Sequence, residues 1–238
     1  MIILRFIIVS ILLCASGNSQ QRKIKSDIIE KNNISLDYLF YLPEDYKNDK
    51  DKKWPTILFL HGMGERGDDL ELVKIHGIPK IVNSKKDFQF IAISPQCPID
   101  FVWRDEEMLI ALESLLLKII KNFRVDKSRL YVTGLSMGGR GTWAIAAYRP
   151  DLFAAAAPIC GGGDPTTASR LTKLPFWVFQ GALDEVHFPK ESEIMIKSLK
   201  NKGGEVRYTL YPELHHDSWT ITYDNSELYK WFLSKSNN

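Results

Sequence analysis

The 238-residue chain holds only three cysteines, too few for a disulfide-built scaffold, and none is spaced as C-x-x-C. Its five histidines include no H-x-x-x-H pair and no phosphate-cradling glycine loop is present, so neither a metal nor a cofactor is expected. A dominant charge is missing as well. The balance of 31 basic against 29 acidic residues leaves +2, which gives no electrostatic reason to expect nucleic acid or an acidic polymer as partner. No apolar run approaches the roughly 20 residues of a membrane-spanning helix, and no internal repeat, low-complexity tract or linker divides the chain. With 45% hydrophobic and 25% charged residues, the composition is that of one folded domain with a large core.

What the chain does have is a glycine-flanked serine behind an apolar run. Leu130 to Thr133 (L-Y-V-T) carries the β-branched and aromatic residues of a strand, and Trp143 to Ala147 (W-A-I-A-A) reads as a helix. Gly134 to Gly138 between them spells G-L-S-M-G. In that setting a tight strand-to-helix turn pushes Ser136 into a strained, exposed position, and the glycines remove side chains that would clash. The helix amino end then faces any developing oxyanion, which makes Ser136 the candidate nucleophile.

Met1 to Gln20 differs in kind from the rest. Arg5 is its only charge, Phe6 to Leu13 is apolar apart from Ser10, and the small residues Ala15, Ser16 and Gly17 follow. Residues 1–20 are therefore expected to be a cleaved signal peptide, with residues 21–238 forming the exported domain, periplasmic or extracellular. Cys14 offers the alternative of a lipid anchor, although Leu13 stands where such sites carry a small residue. Cys97 and Cys160 then remain, both just after strands. Two buried thiols are favoured over a disulfide, since the sequence does not fix the Cα separation a bridge requires.

Taken in order, Ile34 to Leu42 alternates with period 2 and suggests an early antiparallel pairing, and Trp54 to Leu60 is nearly all apolar, as a strand covered on both faces should be. The loop His61 to Asp69 (H-G-M-G-E-R-G-D-D) follows. Further strands are read at Phe88 to Ser94, Phe153 to Ile159, Leu174 to Gly181 and Val206 to Tyr211, with helices at Asp105 to Phe123, Lys190 to Lys202 and Asn225 to Leu233. Strands regularly separated by helices predict a doubly wound, mostly parallel sheet in a three-layer α/β/α arrangement, without a large lid domain. Such sheets bind ligands beyond the carboxyl ends of their strands. Three strand ends carry suitable chemistry in the order serine, acid, histidine: Ser136, then Asp184 with Glu185, then His215 with His216. An imidazole can take the serine proton, and a buried carboxylate can hold that imidazole in the productive tautomer.

On the words L-H-G-M-G-E-R-G-D-D (Leu60 to Asp69), P-Q-C-P (Pro95 to Pro98), G-L-S-M-G-G (Gly134 to Gly139), the Gly181 to Val186 junction and H-D-S-W (His216 to Trp219), the sequence resembles the α/β-hydrolase superfamily. Within it the resemblance is to small secreted carboxylesterases, including feruloyl and acetylxylan esterases and the phospholipase/carboxylesterase group, and it covers almost all of residues 21–238. The resemblance implies Ser136 as nucleophile, Asp184 as orienting acid and His216 as general base. Met137 and an N–H of the loop at His61 to Met63, taken as that of Met63, are the implied oxyanion donors. Glu185 is read as solvated, His215 as a pocket or surface residue, and His61 as a buttress of its loop. Glu65 and Arg66 are expected to pair with each other, and Arg140 to lie in an internal ion pair. His76, without a plausible partner, and His187 are left outside the site. Trp143 and Trp177 are assigned to the core, whereas Trp103 and Trp219, beyond strand ends, are expected to line the substrate site.

The implied activity is hydrolysis of short-chain or aromatic esters, with acetyl or feruloyl esters on plant polysaccharide preferred. No long insertion separates the serine turn from Asp184, which argues against a long-chain lipase. Two other readings use the same fold: a peptidase of the prolyl oligopeptidase type, and a non-catalytic carbohydrate-binding protein.

Overall fold

The computed structural model describes residues 21–25, 34–85 and 87–237. The expected leader and Cys14 lie outside the described residues. Eight strands form one sheet: β1 (Gln21–Ile24), β2 (Tyr38–Tyr41), β3 (Trp54–Leu60), β4 (Ile91–Pro95), β5 (Val125–Leu135), β6 (Ala155–Ile159), β7 (Phe176–Gly181) and β8 (Val206–Tyr211). Their spatial order is β1-β2-β4-β3-β5-β6-β7-β8. The first two strands are antiparallel, β2 setting Phe40 opposite Ile93 of β4, and β3 to β8 are all parallel.

Among the described residues the α-helices are α1 (Gly77–Ser84), α2 (Glu106–Asn122), α3 (Met137–Tyr148), α4 (Pro189–Asn201), α5 (Trp219–Asp224) and α6 (Ser226–Leu233). They divide between the two faces of the sheet because successive strand side chains point to opposite sides. In β3, Leu58 and Leu60 join the core shared with Leu112 and Leu116 of α2 and Trp143 of α3. Ile57 and Phe59 of the same strand join Ile78 of α1 and Phe232 of α6. Both faces are thus dry, which is why β3 is apolar at every position but Thr56 rather than alternating.

From β3 the chain moves to β4 on one side and then back across to β5 on the other. The carboxyl ends of β3 and β5 therefore meet at the point where the strand order reverses, the place such sheets leave open for a ligand. Close backbone approach makes the junction tight. A Cβ at Gly138 would lie 1.9 Å from the Leu60 carbonyl oxygen, and one at Gly134 would lie 2.4 Å from the carbonyl oxygen of Gly138. Neither obstacle is a side chain that could turn away. Gly138→Ala is accordingly expected to destabilise the fold by about 3 kcal/mol, the upper part of the overpacking range. That corresponds to a drop in Tm of roughly 6–12 °C for a chain of this size; an unchanged melting curve would contradict the packing described.

Candidate active site

Ser136 sits between β5 and α3 with φ 55° and ψ −115°, a left-handed conformation that costs a non-glycine residue on the order of 1–3 kcal/mol. The neighbouring chain holds it there: its N–H donates to the Ile159 carbonyl at 3.0 Å and also faces Cys160 Sγ at 3.3 Å. The result is a half-buried hydroxyl at the amino end of a helix.

His216 Nε2 lies 2.9 Å from Ser136 Oγ, and its Nδ1 lies 2.8 Å from Asp184 Oδ2. Asp184 is 2% exposed. A carboxylate at that depth needs partners, and it has them: Gln180 Nε2 donates to Oδ2 at 2.8 Å, and the N–H groups of Val186 and His187 donate to Oδ1 at 2.9 Å each. With the carboxylate accepting from Nδ1–H, His216 is left with its Nε2 lone pair toward the serine hydroxyl. The three residues read from sequence as serine, acid and base thus form one hydrogen-bonded line. Glu185 and His215 are exposed and outside it.

The loop after β3 lies against the serine. A Cβ at Gly62 would come within 3.8 Å of Ser136 Cβ and 2.9 Å of Leu135 Cδ1. Met63 opens a single 3-10 turn, Met63–Glu65, and Met137 is the first residue of α3. Both N–H groups therefore lie in first turns, which offer them no acceptor within the helix. His61 fixes the loop from beneath. Its Nδ1–H donates to the Gly62 carbonyl at 2.6 Å, while its Nε2 accepts the Cys97 N–H at 2.9 Å. That tautomer is neutral, and burial holds its pKa down to about 4.

The remaining assignments divide. Trp103 is fully buried, and its Nε1 donates to the His61 carbonyl at 3.0 Å, so the ring braces the loop while forming one wall of the cavity at Ser136. Trp219 does not line that cavity; its ring meets His216 edge-on, with centroids 5.3 Å apart. Trp143 and Trp177 are core, as expected. The expected pairing of Glu65 with Arg66 is absent among the described residues. Arg66 donates instead to the carbonyls of Met63, Ile99 and Phe101, and the buried Glu65 carboxyl faces His61 and His76 at 3.8 and 3.9 Å. Its pKa is raised, burial being the main cause. His76 therefore does have partners, Glu65 and the Trp219 ring at 5.5 Å.

His187, left out on sequence grounds, lines the cavity with its ring 5.4 Å from that of His216 and its Nδ1 3.1 Å from Arg140 Nη2. Burial and the adjacent Arg140 cation hold its pKa down. Arg140 is ion-paired with Glu191, the internal pairing expected of it. Two signals could have found these residues. Arg140 is four positions after Ser136, so it shares the face of α3 that begins there, and Gln180 is the one polar residue in F-W-V-F-Q-G. Cys97 and Cys160 are buried free thiols. They end β4 and β6, and β3 and β5 intervene; three strand spacings put them roughly 14 Å apart at sheet spacing, beyond disulfide reach.

A parallel, doubly wound sheet with a strained serine at its switch point and acid and histidine on later strand ends defines an α/β-hydrolase fold. The chain belongs to the dienelactone hydrolase family, whose model matches residues 96–227, the span that carries Ser136, Asp184 and His216. Among solved structures it is similar to a thermostable esterase, at 32% identity over 91% of this chain and 63% of that one, with a TM-score of 0.79. It has the fold of a ferulic acid esterase, at 19% identity over 89% and 96% of the two chains, with a TM-score of 0.65. A stretch of 61 residues is 41% identical to poly(3-hydroxyalkanoate) depolymerase C of Paucimonas lemoignei, covering 26% of this chain and 15% of that protein. The chain thus spans under two thirds of the esterase and a small part of the depolymerase.

The buried neutral His61 makes stability depend on pH. In the unfolded chain this imidazole protonates near its ordinary 6.5, whereas in the folded protein it stays neutral down to about 4. As pH falls through that window the unfolded state takes up a proton that the folded state refuses, so stability is lost, by about 3 kcal/mol in all. Urea midpoints measured from pH 7 to 4 should fall more steeply for the native chain than for His61→Asn. Parallel slopes would show that His61 is not buried as described.

Proposed function

We propose that the protein is a serine ester hydrolase acting through an acyl-enzyme on Ser136. The observation that carries this reading is the continuous line Ser136 Oγ, His216 Nε2, His216 Nδ1, Asp184 Oδ2, with links of 2.9 and 2.8 Å. A serine hydroxyl is a weak nucleophile until a base takes its proton. As Oγ attacks the ester carbonyl, its proton passes to His216 Nε2, and the carbonyl electrons move onto an oxygen that the N–H groups of Met63 and Met137 would bind. Collapse of the tetrahedral species expels the alkoxide, which leaves as the alcohol with the proton from His216. Water then repeats the sequence: His216 takes its proton, the acyl carbon–Oγ bond breaks, and serine and acid are released.

The cavity at Ser136 has a volume of about 270 Å³ and apolar walls of Met63, Val102, Trp103, Met137 and Val186. That size and lining suit a short or aromatic acyl group. The family match and the similarity to esterases support the same chemistry. Acetyl or feruloyl esters on plant polysaccharide are the substrates we assign, and the composition of residues 1–20 supports export. Ser136→Ala should lower kcat on 4-nitrophenyl acetate by at least about 10³-fold, and Asp184→Asn by on the order of 10⁴-fold through loss of the productive tautomer. Retention of the native rate by Ser136→Ala would end this reading, and faster cleavage of dipeptidyl amides than of esters would replace it with a peptidase.

A further inference from the structure

A second, larger cavity of about 570 Å³ adjoins the one that holds Ser136, and Arg104 and Arg140 line both. Beyond the two shared arginines, its walls add a third, Arg170, and the rings of Trp143 and Tyr148. The acids that also line it, Glu191 and Asp164, are already engaged. Glu191 pairs with Arg140. Asp164 Oδ1 accepts from Thr166 N–H at 2.9 Å and from its hydroxyl at 2.7 Å, which holds its carboxyl below its ordinary pKa. No carboxylate or carbonyl among the described residues engages Arg104 or Arg170, both exposed, and Arg140 Nε is buried without a hydrogen-bond partner. With Glu191 paired to Arg140, two arginines, Arg104 and Arg170, stand against the one remaining carboxylate, Asp164, which stays charged; the cavity is therefore positive on balance, although the chain as a whole is near neutral.

An ester held at Ser136 has two halves bonded to the same carbonyl carbon, and the two cavities offer a space for each. The side chains of Met63, Val102, Trp103 and Val186 suit the smaller cavity to the acyl substituent, which leaves the adjoining one to the alcohol. We propose that the larger cavity is a subsite for the alcohol half of the substrate and selects alcohols that carry a carboxylate, such as acidic sugars. Guanidinium groups suit this role because they present several donors in one plane to a carboxylate and stay charged at every relevant pH. The wall is rigid enough to define a site: Trp143 stacks on Phe176 with ring centroids 4.2 Å apart, and its Nε1 donates to the Gly161 carbonyl at 3.1 Å. The proposal rests on Ser136 being the nucleophile.

Calorimetry on the Ser136→Ala chain with trigalacturonate and with neutral xylotriose tests it directly. Trigalacturonate should bind at least about tenfold more tightly, with the preference shrinking as NaCl rises from about 20 to about 500 mM. It should fall to about twofold in Arg104→Gln/Arg170→Gln and recover largely in Arg104→Lys/Arg170→Lys. In the active enzyme the same preference should appear in KM for acetylated forms of the two sugars. Equal binding of the two, or a preference that survives loss of both arginines, would overturn the proposal. Because binding is read in a chain without the nucleophile, failure of the native protein to cleave any ester is a separate outcome: it ends the esterase reading and with it the assignment to the alcohol half, while the carboxylate preference is judged by the binding result.

Discussion

The site depends on backbone meeting backbone without side chains between. The first turn of α3 is pressed against the ends of β3 and β6 so closely that a Cβ at Gly138 would overlap the Leu60 carbonyl, and one at Gly139 would lie 2.4 Å from the Ile159 carbonyl. This contact brings the β3 loop alongside Ser136, and with it Met63 and the His61 brace. It also supplies the acceptor at Ile159 for the serine's own N–H. The left-handed backbone at Ser136 is stable because chain on three sides over-determines it, and the strain buys exposure of the hydroxyl.

A different device positions the acid and the base. Gly181 ends β7 where a Cβ would lie 2.1 Å from the His215 carbonyl, so the loop carrying Asp184 and the loop carrying His216 are in direct backbone contact. Asp184 is then held by donors from its own loop and by Gln180, itself bonded to Ser192 of α4 at 2.9 Å. The carboxylate thus has one orientation, and so does the imidazole it faces. Trp219 adds a packing restraint on the ring of His216, and His76 and Glu65 lie behind that tryptophan. An apolar neighbour shields the imidazole from water without competing for either nitrogen.

The fold was legible because its central parallel strands are buried on both faces and so appear as nearly all-apolar runs, β3 being W-P-T-I-L-F-L and β6 A-A-A-P-I. The serine, acid and histidine were legible because each lies within a few residues of a strand's carboxyl end, Ser136 directly after β5, Asp184 in the loop after β7 and His216 in the loop after β8. What escaped was decided by packing across elements that are distant in sequence. Nothing near Glu65 shows that His76 will face it, or that the adjacent Arg66 will turn to the carbonyls of Ile99 and Phe101 some 33 and 35 residues away. A charged neighbour in sequence invites a pairing that the 3-10 turn at Met63–Glu65 separates. Trp219 followed a strand end and looked available to substrate, yet the short helix α5 sets its ring against His216. Net charge, summed over the chain, likewise concealed the arginines gathered at one cavity.

A thiol also lies at this site, in surroundings unlike those of the serine hydroxyl. Cys160 Sγ, Asp184 and His216 offer ligand atoms all within 4.8 Å of one another, a grouping that could suggest a thiol nucleophile or a metal centre. Both uses conflict with the bonds already made. His216 Nδ1 and Asp184 Oδ2 are joined to each other, and His216 Nε2 is on the serine hydroxyl. Cys160 is fully buried, with its pKa driven upward by that burial, so the thiolate required for attack or ligation is strongly disfavoured. The thiol instead lies behind the Ser136 N–H, filling space in a left-handed turn of its own at φ 42°. Of these two side chains near the same histidine, the fold leaves the Ser136 hydroxyl half-buried and bonded to the imidazole, and it buries the thiol, whose reactivity would come from its own ionisation.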